Sequence, residues 1–335
     1  MTITVRTSVD YDPQGAPRAL PPSGTVTQLT EAEGVVALTL APSRAVLEEI
    51  ALLTTLRGEL APSALASVSA GVAPVVGGYL VGVVEEGPGG ATPAERPFTL
   101  AALGRSGYGE ASLWAAGSLL VGPSGPAWLW QSGAFREPLP VEAGRVDLRW
   151  WPGQGIGAAD TSVLVTARGV LEDGQLSAAA ATMTEDGAIR ITTGRFGSTD
   201  GSALETLAVD VLVLGPPRTS ALELYGFGAL RVEQTGPIWA HQSGIFGAVT
   251  AEGPGAWLVE LGSGYGAADY GSVIVASPHG LGASLRSVAV EHVSPTTKRL
   301  TLLEQTETNR GGARADFDVD LAIVTPVGPV PPPSP

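Results

Sequence analysis

Chemistry in this 335-residue chain would have to begin from three histidines, His241, His279 and His292, and from 33 acidic residues, because cysteine is absent. Without thiols there is no thiolate nucleophile, no thiolate metal site and no disulfide framework. No nucleophile-elbow, Walker or zincin pattern accompanies the histidines. The sequence therefore reads as that of a protein that is not an enzyme and carries no metal or cofactor. Paired carboxylates are the remaining catalytic option, since glycoside hydrolysis uses two of them. Asp316, Asp318 and Asp320 alternate along one expected strand and would share a face. Surface solvation is the default for such a row, and a hard cation with oxygen ligands is the sharper alternative. Asp160 and Asp269 sit in Gly-rich turns, where an Asp side chain bonds the backbone of its own turn.

Aromatic residues are more informative. Trp130, Trp150, Trp151, Tyr265 and Tyr270, with His241, are the candidate ligand-binding residues. Rings displayed beside Gly-rich loops can stack on sugar faces, and contact between subunits is the competing role. Trp128, Trp239, Phe135 and Phe246 are instead expected to anchor cores, because a buried ring contributes a large apolar area.

The elements that position these residues come from a repeat. Gly125-Pro126-Ala127-Trp128-Leu129-Trp130-Gln131-Ser132-Gly133-Ala134-Phe135 and the stretch Gly236 to Phe246 are identical at seven of eleven positions. Two more pairs follow in the same order, Gly157 to Val165 with Gly266 to Val275, and Val209 to Leu214 with Val319 to Val324. The common offset is about 110 residues, the size of a domain. His241 replaces Trp130 inside this preserved frame. All three histidines fall in the second copy, so a catalytic centre common to both copies cannot use them.

Period-2 alternation in 145–150, 188–193, 287–292 and 298–303 marks half-buried strands. Several such strands between Gly-rich turns point to an antiparallel β-sandwich. The expected fold is mainly β: two tandem homologous sandwiches, 106–216 and 217–326, after a β-rich N-terminal domain, 1–105, with one helix. That helix is expected from a Ser43 cap, an apolar stripe at Val46, Leu47, Ile50, Leu53 and Leu56, and a Gly58 stop. A diverged third copy within 1–105 stays open. Residues 327–335 read as an extended Pro-rich tail.

A formal charge of −14 disfavours binding to the phosphate backbone of nucleic acid. Leu60 to Val84 lacks charged residues, yet its Gly and Pro interruptions favour buried strands over membrane insertion. The first ten residues contain no apolar run, so no secretory signal is expected.

The rhythm of the repeats resembles the C-terminal β-sandwich modules of bacteriophage tail fibres and receptor-binding spikes. It is carried by Trp239, Gly244-Ile245-Phe246, Trp257 to Leu261, Ser272 to Val275 and Asp316 to Val324. In the first copy it is carried by Trp128, Gly133-Ala134-Phe135, Arg145 to Leu148, Ser162 to Val165 and Val209 to Val213. Small trimeric lectins of the snail-agglutinin type have a similar layout. The resemblance implies a virion-surface protein of a tailed phage or a phage-derived gene transfer agent, made in the host cytoplasm. Its N-terminal domain would attach to other virion proteins. Its sandwiches would form a homotrimer and bind host cell-surface polysaccharide, with weak sites multiplied by effective concentration. The alternatives are a purely structural virion part, such as a capsid decoration or tail-tube-like protein whose repeats build a pseudo-symmetric ring, and a glycan-degrading spike enzyme.

Overall fold

The computed structural model describes residues 2–13, 18–19, 26–32, 35–40, 50–62, 64–73, 78–87, 90–106, 115–153, 161–168, 175–197, 201–215, 226–262, 273–281, 284–306 and 309–324. Within these residues the chain is mainly β and contains no helix. None of its elements is a helix long and apolar enough to cross a membrane.

The strands fall into three runs of nine, called units 1 to 3. Unit 1 holds β1 (Thr2–Tyr11), β2 (Arg18–Ala19), β3 (Val26–Ala32), β4 (Val35–Leu40), β5 (Ile50–Arg57), β6 (Ala66–Ala73), β7 (Gly78–Gly87), β8 (Gly90–Pro93) and β9 (Phe98–Ser106). Unit 2 holds β10 (Ala115–Gly122), β11 (Gly125–Gln131), β12 (Leu139–Glu142), β13 (Arg145–Leu148), β14 (Ser162–Ala167), β15 (Gln175–Met183), β16 (Ile189–Gly197), β17 (Gly201–Leu204) and β18 (Val209–Leu214). Unit 3 holds β19 (Gly226–Glu233), β20 (Gly236–Gln242), β21 (Phe246–Gly253), β22 (Ala256–Leu261), β23 (Val273–Pro278), β24 (Arg286–Ser294), β25 (Thr297–Thr306), β26 (Asn309–Arg314) and β27 (Val319–Val324).

Each unit pairs its strands in the same way. One sheet runs β2-β1-β9-β5, β11-β10-β18-β14 or β20-β19-β27-β23. The other runs β3-β4-β7-β6, β12-β13-β16-β15 or β21-β22-β25-β24, with β8, β17 or β26 added on the seventh strand. Residues 2–106, where the repeated residues are not visible in the sequence, thus share the strand order of the other two units.

Closure is cyclic. The sixth strand of each unit lies parallel to the end of the fifth strand of the next: Ala70 bridges Arg168, Ala181 bridges His279, and β24 pairs with β5 through Ala289↔Leu56 and Val290↔Arg57. Side chains repeat the cycle. Thr54 N donates to Thr166 Oγ1 (3.1 Å), Val165 N to Ser277 Oγ (3.2 Å) and Ala276 N to Thr55 Oγ1 (2.8 Å). The three hydroxyls occupy one equivalent position, so a single chain carries a pseudo-threefold arrangement.

A shared core lies where the units meet. Ala51, Leu53, Ala101, Leu103, Leu164, Leu212, Leu214, Val275 and Ala322 pack together there with Ala116, Trp130 and Phe227. Alternation sends the intervening residues the other way. Val209, Val211 and Val213 enter the core between the two sheets of unit 2, and Val319, Leu321 and Ile323 enter that of unit 3. Strands buried on both faces lose the polar half of the period-2 pattern and become continuous apolar runs.

That geometry corrects the expected helix. Ile50–Arg57 is a strand; Leu52 and Leu56 face the core of unit 1, whereas Ala51 and Leu53 face the shared core. A doubly buried strand satisfies a helical stripe by accident, since nearly every position is apolar. Ser43, Val46 and Leu47 lie outside the described residues, as does the tail 327–335. The uncharged stretch from Leu60 to Val84 contributes β6 and most of β7.

Candidate functional site

The repeated Trp-x-x-Gln-Ser-Gly-x-Phe frame builds the turn that follows the first hairpin of units 2 and 3. Gln131 Oε1 accepts from Gly133 N (2.7 Å) and Phe135 N (3.3 Å), and its Nε2 donates to Phe135 O (2.7 Å). Gln242 makes the same three bonds with Gly244 and Phe246. Ser132 and Ser243 pin the turn to the neighbouring strand by accepting from Ala116 N and Phe227 N. Trp128 and Trp239 stack on Phe135 and Phe246 at centroid distances of 5.4 and 4.8 Å, and their indole N–H groups donate to Arg136 O and Gly247 O. A Cβ at Gly117 or Gly228 would sit 2.6 Å from the Trp ring, so both positions leave room for it. The Trp, Gln and Ser side chains of the frame thus all bond backbone groups of the turn or of the neighbouring strand; the frame is a structural staple.

The candidate ligand-binding residues that the structure describes, Trp130, Trp150, Trp151 and His241, are not brought together. Trp130 is 4% exposed and belongs to the shared core, which removes it from the surface. Trp150 is partly buried, tilts against Phe135 and donates to Gly187 O (3.1 Å). Among the described candidates Trp151 alone is displayed, 49% exposed, with the Arg136 guanidinium 5.6 Å from its ring centroid. His241 reaches across an interface, its Nε2 3.1 Å from Ser162 Oγ, and Ser162 is fully buried, so the pair is a contact and not an accessible nucleophile. Tyr265, Tyr270, Asp160 and Asp269 lie outside the described residues.

Nor do the three alternating aspartates form one site, although Asp318 and Asp320 both meet the Arg231 guanidinium. Asp316 accepts from Gly255 N and Trp257 Nε1, Asp318 from Val232 N, and Asp320 from Val163 N. Among the described residues no group of three or more His, Asp or Glu is placed to hold a metal ion.

Sequence reasoning passed over a set of buried polar groups at the joints between units. Asp210 and Asp320 lie fully buried on the shared-core face of their strands. Asp210 accepts from Arg168 Nη1 (2.7 Å), from the Ser118 hydroxyl and from Leu52 N (2.9 Å) of unit 1. Asp320 accepts from Arg231 (3.1 Å) and from Val163 N (3.2 Å) of unit 2, and lies 3.1 Å from the His279 ring. Thr99 of unit 1 completes the cycle by donating to Ile274 O (3.0 Å) of unit 3. The signal was the aspartate itself: in Val209-Asp210-Val211-Leu212-Val213-Leu214 a charge interrupts a run that is otherwise buried, and it needs a partner.

Burial pushes the Asp210 carboxyl above the usual carboxylate range, against the opposing pull of Arg168, Ser118 and the Leu52 amide. A group whose folded value exceeds its unfolded one holds its proton more tightly in the native state. Its contribution is therefore fully present below the unfolded value and declines as pH rises through the folded one. The stability of wild type relative to Asp210→Asn should accordingly fall as pH rises from about 4. Urea unfolding of both proteins across pH checks this; a gap that moves in favour of wild type with rising pH would mean that the three donors outweigh burial.

Compared with protein-family models, with curated proteins and with solved structures, the chain matches none.

Proposed function

We propose that this protein is a non-catalytic structural and attachment component of a virus particle, in which three copies of one sandwich unit on a single chain take the place of a trimer. The cyclic pairing of the three units about one core carries this reading. It favours the pseudo-symmetric structural part over a fibre whose N-terminal domain is distinct, because unit 1 is built into the ring as an equal member. The virion setting rests on the resemblance of the repeats to phage spike modules. Polar groups committed to hairpins and interfaces support a scaffold in preference to an enzyme.

The test is the mass of the purified chain together with its place in the particle. One chain of 34.0 kDa in solution is expected, along with loss of the assembled particle when the gene is deleted. A mass three times larger would restore the homotrimer, and intact particles that only fail to adsorb would restore the fibre.

A second reading, recognition of host polysaccharide, is favoured by the exposed Trp151 beside Arg136. Under it, Trp151→Ala weakens binding to extracted polysaccharide about tenfold and shifts stability by less than about 0.5 kcal/mol, as exposed sites do. Unchanged binding by titration calorimetry would remove Trp151 from that role.

A further inference from the structure

In unit 2 the segment between β11 and β12 meets the residues after β13 in a short antiparallel ladder. Phe135 bridges Trp150, Arg136 N donates to Arg149 O (2.8 Å), and Trp151 N donates to Ala134 O (3.0 Å). Arg136 therefore lies directly opposite Arg149. Phe135 and Trp150 tilt against each other on the core side. Alternation turns Arg136, Arg149 and Trp151 the other way, and all three are exposed.

Like charges directly opposite each other on neighbouring strands destabilise a sheet. Nothing among the described residues neutralises this pair: neither arginine makes an ion pair or a side-chain hydrogen bond. The Arg136 guanidinium rests 5.6 Å from the Trp151 ring centroid. Asp186 is taken by the Thr184 hydroxyl, the main cause of its lowered carboxyl, and Arg149 adds only a weaker pull.

Unit 3 builds the same ladder without this set. Phe246 pairs with Leu261, and Gly262 N donates to Ile245 O (2.7 Å). At the places of Arg136, Arg149 and Trp151 unit 3 has Gly247, Glu260 and Gly262. The scaffold thus needs neither the cations nor the ring.

Two unneutralised guanidiniums side by side, on a chain of formal charge −14, select a negative ligand locally. Their planar forks match a carboxylate in bidentate fashion, and the indole, 49% exposed, offers a face to a ring. A sugar acid presents both at once, because its carboxylate is attached to the ring itself. A densely charged polyanion is disfavoured by the charge of the whole chain.

We propose that Arg136, Arg149 and Trp151 form a binding site for a uronic-acid residue of an acidic polysaccharide, the guanidiniums taking its carboxylate and the indole its ring face. The assignment rests on the polysaccharide reading of Trp151 and adds the class of sugar. Unit 3, with Glu260 at the position of Arg149, carries no counterpart.

Titration calorimetry of the full chain against polygalacturonate and its methyl ester tests this, since the two differ only in the charge of the carboxyl. Wild type is expected to bind the acid at least about tenfold more tightly than the ester. Arg136→Gln/Arg149→Gln should remove that preference and leave the ester unaffected, whereas Trp151→Ala should weaken both. Equal binding of acid and ester, both weakened by Trp151→Ala, would overturn the sugar acid and keep the polysaccharide reading. Binding of neither, or binding that Trp151→Ala does not alter, would overturn both. Polyglutamate, which carries carboxylates without sugar rings, would overturn the assignment if it bound as tightly as polygalacturonate. The double glutamine variant removes a like-charge pair, so its urea midpoint should equal or exceed that of wild type; a lower midpoint would make the arginines structural.

Discussion

Valine at Gly255 is expected to destabilise the protein by about 2–5 kcal/mol, combining the left-handed backbone penalty with overpacking. Gly255 has φ +62°, and a Cβ there would lie 2.5 Å from Leu302 O and 2.7 Å from Ala315 N. Both are backbone atoms held by the sheet, so no side-chain rotation relieves the clash. The turn is fixed from both sides: Gly255 N donates to Asp316 Oδ1 (2.8 Å), and Leu302 N donates to Gly255 O (2.8 Å). Unit 2 repeats the device at Gly144, with φ +71° and Thr193 O 2.5 Å from the same imaginary Cβ. Gly244 provides the control. Its φ is +87° but nothing lies within 4 Å of a Cβ, so Gly244→Ala should cost only about 1–2 kcal/mol. Equal losses for Gly255→Val and Gly244→Ala in urea unfolding would show that the close approach to Leu302 and Ala315 is not maintained.

Leu212→Ala is the second large effect, about 2–5 kcal/mol for a buried leucine. Leu212 is fully buried in the core that all three units share, so its loss should be felt beyond unit 2. The tryptophans make this measurable, because none occurs in residues 1–113. Tryptophan fluorescence therefore follows units 2 and 3, whereas far-ultraviolet circular dichroism follows all three. Coincident unfolding curves that shift together in Leu212→Ala are the expected outcome for one cooperative body. A biphasic dichroism curve in which only one phase moves would make the units independent.

How far the sequence carried the fold depended on which residues each unit kept. The Gln131 and Gln242 turns are specified by side chains that bond their own backbone, so their residues recur and expose the repeat. Unit 1, whose described second strand is Arg18–Ala19, has no Trp-Gln-Ser-Gly frame in its sequence, and shares strand order where it does not share side chains. Segment 50–57 misled for another reason, because burial on two sides erases periodicity. Trp130 misled through its neighbours: Gly-rich surroundings suggested display, but the ring turns inward, and its buried Nε1 has no partner among the described residues. The joints between units were least legible. Thr55, Thr166 and Ser277 look like ordinary strand residues until three separate segments are seen to bond in a circle.

Trp130 and His241 occupy one position in two units, and their counterparts across the joint differ with them. Ala51 shares an apolar cluster with Trp130, whereas Ser162 meets His241. The joints are therefore keyed. Exchanging neighbours would set an imidazole against alanine and an indole against a serine hydroxyl, so the chain specifies which unit follows which around the circle. Being covalently joined, the units meet at an effective concentration set by their connections and not by the amount of protein present. Dilution that would dissociate three separate subunits leaves this ring intact, and each unit is free to evolve a different outer face without having to recognise copies of itself.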